Sequence, residues 1–232
     1  ASFFLNAASF LGLIGFTLVW KPKERGNDLP PEHFTGAMRN AVRYAFNAAP
    51  LQSVLVRTAV FILGGSALWA LLPVQAQQNL GLSASGYGVL LGAIGAGALS
   101  GAALLPTLKD KFSMEALVAG ASIVFGAVTI ALAFLANFYL LLPVMAAGGV
   151  AWVALMSSFN VATPTSAHGW VRARAIAIQL LVFQGGTAAG SFLWGAVAEN
   201  FGLRMSLVAA GISIFVSVFF AFRYKLPAEK ID

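Results

Sequence analysis

The chain contains no cysteine. A disulfide framework, a thiolate nucleophile and a cysteine-ligated metal site are therefore excluded, and the redox compartment leaves no trace. Histidine is nearly as scarce: His33 and His168 both fall in polar connections, so no metal site and no cofactor are expected. Charge is the third scarcity. Asp, Glu, Lys and Arg make up 9% of the residues, against about 25% in an ordinary soluble domain. All eight acidic residues sit in loops or at the ends of apolar runs, so none is placed to carry a proton through a membrane centre. The patterns G-x-S-x-G, H-E-x-x-H and the P-loop are missing, which removes enzymatic and ATP-driven readings of this chain.

What is present is apolar: 59% of the residues are hydrophobic. The 14 Lys and Arg residues give a net charge of +6, but they cluster between long apolar runs, which points to a lipid bilayer and away from nucleic acid. Since a spanning helix needs about 20 mainly apolar residues, seven runs qualify: 3 to 20, 54 to 73, 84 to 105, 115 to 136, 138 to 160, 173 to 198 and 204 to 223. Lys21, Pro22 and Lys23 stop the first, Gln75 to Asn79 the second, Lys109 to Lys111 the third and Asn137 the fourth.

Alternate connections hold nearly all the basic residues: Lys21, Lys23, Arg25, Arg39 and Arg43, then Lys109 and Lys111, then Arg172 and Arg174, then Arg223, Lys225 and Lys230. The other set holds only Arg204. Cytoplasmic loops retain positive charge, so the C-terminus is expected in the cytoplasm and Ala1 outside. Ala1 leads into an apolar run with neither a basic flank nor a small-residue cleavage site, a poor match to a signal peptide; upstream spans are expected to precede it. Residues 21 to 52 form the one long connection. Within it Phe34, Met38, Ala41, Val42 and Ala45 follow helical spacing with Arg39 and Arg43 on another side, and a surface helix near lipid head groups is expected.

An internal repeat runs through the apolar segments. Gly97, Gly101, Asp110 and Phe112 recur as Gly186, Gly190, Glu199 and Phe201, the pattern G-x3-G-x8-[DE]-x-F. The first copy descends towards the basic side and the second leaves it. Residues 54 to 223 thus divide into two triplets, 54 to 136 and 138 to 223, the plan of a 3+3 inverted repeat. Gly92 and Gly95 accompany the first copy, Gly185 and Gly195 the second; all are expected to admit neighbouring backbones. Static packing suffices to explain them, and sliding of one helix past another would use the same feature.

Residues 195 to 204, G-A-V-A-E-N-F-G-L-R, resemble the major facilitator loop motif G-x-x-x-[DE]-x-x-G-x-[RK], with Gly195, Glu199, Gly202 and Arg204 on its marked positions. A degenerate copy at 106 to 113, P-T-L-K-D-K-F-S, keeps Asp110 and Lys111, but Pro106 and Ser113 replace glycines, and Met114 and Glu115 stand where basic residues are usual. F-L-N-A-A-S-F at 4 to 10, S-A-L-W-A-L-L-P at 66 to 73, G-Y-G-V-L-L-G-A at 86 to 93 and L-V-F-Q-G-G-T-A-A-G-S at 181 to 191 resemble the enterobactin-exporter-like subfamily. The resemblance implies an all-α membrane protein of seven transmembrane helices, helices 6 to 12 of a twelve-helix exporter. Residues 1-20 would be the last helix of the N-terminal half, 21-52 the cytoplasmic linker, 53-226 the C-terminal six-helix bundle and 227-232 a cytoplasmic tail. It further implies a bacterial inner membrane, a substrate cavity shared with an N-terminal half, and proton coupling, with the protonatable group in that other half.

Polar groups within spans are the remaining signal. Trp69 and Gln75 lie on the second span, Trp152, Ser157 and Asn160 on the fifth, Gln179 and Gln184 on the sixth. By the resemblance the second and fifth spans line the cavity, where an indole suits an aromatic or amphiphilic ligand. Interfacial anchoring or packing of the Trp residues, and interhelical bonding of Gln184, remain alternative readings. Arg57 is expected to snorkel to the cytoplasmic surface, with a salt bridge to a loop acid as the alternative. Arg172 and Arg174 read as topology determinants, and Asp110 with Lys111 and Glu199 with Arg204 as pairs that could hold one conformational state. The expected function is export of a small organic solute, siderophore-like or drug-like, by alternating access; the competing class is a non-transporting scaffold or sensor.

Overall fold

A computed structural model describes residues 2–20 and 34–226. The linker residues 21–33, including His33, and the tail 227–232 lie outside the described residues. The chain divides into two compact units, Ala1–Ala37 and Met38–Asp232. The first contains α1, Ser2–Val19, whose large apolar side chains from Phe10 to Trp20 are all exposed.

Beyond it come α2 (Phe34–Asn47), α3 (Ala49–Val74), α4 (Ala84–Lys111), α5 (Met114–Phe134), α6 (Phe138–Thr165), α7 (Arg172–Phe201) and α8 (Leu203–Arg223). Among the described residues six helices, α3 to α8, are long and apolar enough to cross a membrane. The seventh expected span corresponds to α1, Ser2–Val19, of which Phe10–Val19 is the apolar stretch among the described side chains.

Local chemistry sets the boundaries. Ser83, Ser113 and Asn137 cap α4, α5 and α6, accepting from the backbone N–H of Gly86, Ala116 and Tyr139 respectively, which satisfies donors a helix start leaves orphaned. Pro50 opens α3, where its missing N–H costs nothing. A single residue, Gly202, joins α7 to α8 at φ +87°, a conformation a side chain would strain. The polar stretch expected to end the second span instead continues it as a π-helical turn, Gln75–Asn79. There the buried Gln75 amide donates to Leu132 O of α5 at 2.8 Å and accepts from Asn79, so polar residues are carried inside the bundle.

The helix pairs follow an inverted repeat. The heaviest contacts are α4 on α6, α3 on α7 and α5 on α8. Exchanging the triplets α3–α5 and α6–α8 turns the first pair into the second and leaves the third unchanged. Gly97 and Gly101 sit against α6 so closely that a Cβ on them would lie 2.7 Å from Ala146 Cα and 2.9 Å from Val150 Cα. Their counterparts Gly186 and Gly190 meet Ile62, Ser66 and Leu63 of α3. Ile62 and Ser66 align with Ala146 and Val150, which reveals a second repeat: Gly64-Gly65 in α3 and Gly148-Gly149 in α6, 84 residues apart (148 less 64). Gly92, Gly95, Gly185 and Gly195 face open space; the expectation that they too admit a neighbouring helix is corrected, because they lie off the contact stripes of α4 and α7.

At the end of the bundle where α3 starts, α2 docks through Ala45 onto Leu51, Ala167, Val171 and Ala175. The Tyr44 hydroxyl meets His168 Nδ1 at 2.9 Å, while Arg39, Val42 and Arg43 are exposed. Part of the expected amphipathic face therefore rests on protein. Side chains of Phe34, Met38 and Ala41 lie outside those described.

Arg57 is 4% exposed and ion-paired with Glu115 in the first turn of α5; the second Glu115 oxygen accepts from Leu226 N, just past α8. Snorkelling is thus corrected to the salt bridge: a partner brought from another helix removes any need to reach water. Glu115, the departure from the facilitator loop motif, is the residue that supplies it.

Candidate functional site

Thr58 on α3, Trp152, Phe159 and Asn160 on α6, and Gln179 and Phe183 on α7 line a pocket of about 330 Å³, together with Met156, Ile176 and Leu180. Three helices are needed to build it. Gly190 brings α7 against α3, where the Trp194 indole N–H donates to Leu63 O at 2.6 Å and Ser206 of α8 donates to Trp194 O at 2.7 Å. This polar crossing ties α3, α7 and α8 together, and α3, α6 and α7 all contribute to the pocket wall.

Trp152 is the hub of the aromatic wall. Its ring lies 5.2 Å from Trp69, 5.6 Å from Phe125, 6.2 Å from Phe183 and 6.3 Å from Phe61, centroid to centroid. Such distances suit edge-to-face and tilted aromatic contacts. Both Trp residues are therefore packed between helices, and Trp152 also presents surface to the pocket. Two polar atoms in this region are buried without a hydrogen-bond partner: the Thr58 hydroxyl and the Trp69 indole nitrogen. Thr58 also lines the pocket, and sequence reasoning missed it. Gln179 is buried in the wall at 7% exposure.

Other expected site residues fall elsewhere. Gln75 lines a larger cleft of about 930 Å³ at the opposite end of the bundle, with Gln78, Asn79, Gly195, Glu199, Gly202 and Arg204. The facilitator-motif residues of the α7–α8 turn thus gather with the π-helical turn and away from Trp152. The Arg204 guanidinium lies 5.3 Å from the Phe134 ring centroid, a cation–π distance, and forms no ion pair with Glu199. Asp110 and Lys111 are exposed at the end of α4 and unpaired with each other. Ser157 is half-buried outside the pocket, and Gln184 is exposed midway along α7. The smaller pocket is the stronger ligand candidate, because it converges aromatic faces, an amide and an unsatisfied hydroxyl.

A family model described as transmembrane secretion effector matches residues 1–232. The chain belongs to that family, within the major facilitator superfamily. A search of curated proteins returned no match. Transmembrane secretion effectors are multi-pass membrane transport proteins and not enzymes, in keeping with six apolar spans. Membership also accounts for the inverted pairing, since facilitator halves are built from 3+3 repeats around sites near the bilayer midplane.

Proposed function

We propose that this transmembrane secretion effector exports a small organic solute, siderophore-like or drug-like, by proton-coupled alternating access, and that the pocket between α3, α6 and α7 is its share of the substrate pathway. The observation that carries this reading is the buried, unpartnered Thr58 hydroxyl beside Gln179 on a wall of aromatic rings. Unsatisfied polar groups are costly in a bilayer, so a site that retains them is one that a ligand completes. Gln184 supports the same direction: an exposed amide midway along an apolar helix belongs against water or protein and not lipid. An N-terminal transmembrane half facing α7 supplies that surface and encloses the solute.

Proton coupling then requires a group outside the described spans, since Asp110, Glu115 and Glu199 all lie at bundle ends. The basic residues gathered at one end support the reading that this end, with the C-terminus, faces the cytoplasm from a bacterial inner membrane. The test is efflux of siderophore and fluorescent drug substrates from loaded cells expressing the full reading frame, with and without protonophore. Protonophore-sensitive efflux that falls at least tenfold in Trp152→Leu, with Gln184→Ala reduced at matched expression, is the expected result. Efflux indifferent to both substitutions would remove the pocket from the pathway. No efflux of any compound favours a scaffold or sensor.

A further inference from the structure

We infer that the α3/α6/α7 pocket selects an uncharged aromatic ring whose edge carries a hydrogen-bonding group, read by the Thr58 hydroxyl and the Gln179 amide. This rests on the pocket being a substrate site and names the class of moiety it takes. The walls come first: Trp152, Phe159 and Phe183 present ring surface to a space of about 330 Å³. That is near the low end of the roughly 300–1,000 Å³ of small-molecule sites, room for a ring system with a short substituent.

The described walls favour a neutral group. Among the described residues no acidic or basic side chain lines the space. The neighbouring cation, Arg57, is one residue from Thr58 but buried against Glu115, so its charge is already compensated. An ionised ligand group would enter unpaired, at a cost that a neutral group avoids.

The polar readers stand out against the rest of the bundle. Thr129, Thr163 and Thr187 each donate to the carbonyl four residues back, at 2.8, 3.0 and 2.7 Å, the usual retreat of a hydroxyl in an apolar helix. Thr58, as fully buried as Thr129 and Thr163, makes no such bond. The Gln179 amide, with a donor and an acceptor to satisfy, forms no hydrogen bond among the described residues. The inverted repeat supplies an internal control. With α3 aligned to α6 through Gly65 and Gly149, and α4 to α7 through Gly97 and Gly186, Thr58, Trp152 and Gln179 correspond to Leu142, Leu68 and Leu90. Leu68 and Leu90 are fully buried. Helix packing at these positions is met by leucine, so the hydroxyl, indole and amide answer to something other than packing.

The experiment measures equilibrium binding to the purified full-length protein in lipid nanodiscs, using one bicyclic ring with three heads: 2-naphthamide, 2-naphthoate and 2-naphthylmethylammonium. The amide should bind at least tenfold more tightly than either ion. Thr58→Val and Gln179→Leu should each weaken the amide about tenfold, the loss of one neutral hydrogen bond, with thermal midpoints not lowered and binding of unsubstituted naphthalene unchanged. Trp152→Leu should weaken all four. Equal affinity for the three heads, or amide binding unchanged in both polar variants, overturns the inference while leaving the pocket intact. Ring binding that ignores Trp152→Leu overturns the pocket itself, and the inference with it.

Discussion

The pocket between α3, α6 and α7 and the region between α6, α3 and α4 are made by the same helices in exchanged roles, yet the first holds Thr58, Trp152 and Gln179 where the second holds Leu142, Leu68 and Leu90. The backbones differ as well. α4 meets α6 backbone to backbone, with a Cβ on Gly97 placed 2.7 Å from Ala146 Cα. Where α7 meets α3, the Ile62 side chain intervenes at Gly186, and backbone approaches at Gly190, through Leu63 O beside the Ser66 hydroxyl. One repeat unit is closed at both glycines; the other is closed at Gly190, propped open by Ile62 at Gly186, and chemically furnished. An inverted repeat fixes which helices cross, and side-chain volume at the crossing decides whether a site opens beside it.

The largest effect should come from forcing the closed joint. Gly97→Val puts atoms into the α6 backbone, which cannot rotate away as a side chain can. Overpacking typically costs about 1–3 kcal/mol and sometimes more, and a backbone clash belongs at the top of that range. Gly186→Val, whose Cβ meets the Ile62 γ-methyl and no backbone atom, should cost less. Thermal unfolding in detergent checks the order; equal losses would erase the distinction between the two joints.

Next in size is the ion pair. Arg57 and Glu115 have the repeat counterparts Leu141, which is buried, and Arg204, which rests on Phe134. Removing one partner of a buried pair costs about 3–5 kcal/mol; Glu115 is a third exposed, so Glu115→Gln should fall below that, at about 2 kcal/mol. Arg204→Gln should cost at most about 1 kcal/mol, the worth of an exposed cation–π contact. A double variant, Arg57→Leu with Glu115→Leu, replaces the pair by apolar side chains, the first as Leu141 stands at the other end, and should recover part of the single-variant loss.

Much of this was legible in the chain itself. The apolar runs located α3 to α8, and Gly97, Gly101, Gly186 and Gly190 marked both crossings. The second glycine pair was not seen: Gly64-Gly65 and Gly148-Gly149 are related by 84 residues and the first set by 89 (186 less 97), so no single offset shows both. Arg57 misled because its partner lies 58 residues away (115 less 57) and only the fold brings it close. Gln75 read as a cavity amide and lines the larger cleft, but its donor is taken by a carbonyl on α5, and no side-chain pattern encodes that. Thr58 was invisible for a different reason: a lone threonine in a spanning helix ordinarily bonds back to its own backbone, and its exception is a matter of geometry.

The smallest effect sharpens the comparison most. Converting the pocket towards its counterpart with Thr58→Leu and Gln179→Leu fills space and removes a buried hydroxyl that has no partner. An unsatisfied buried group costs about 1–3 kcal/mol, but the added leucine atoms must fit a pocket already walled by Trp152 and Phe183, and overpacking opposes the gain. The net should be a modest stabilisation, about 0.5–1 kcal/mol, accompanied by loss of ligand binding. Sites that keep function at the expense of stability behave this way. A double variant that is less stable than the parent would mean that Thr58 and Gln179 serve the fold, and that the two repeat units differ by packing history alone.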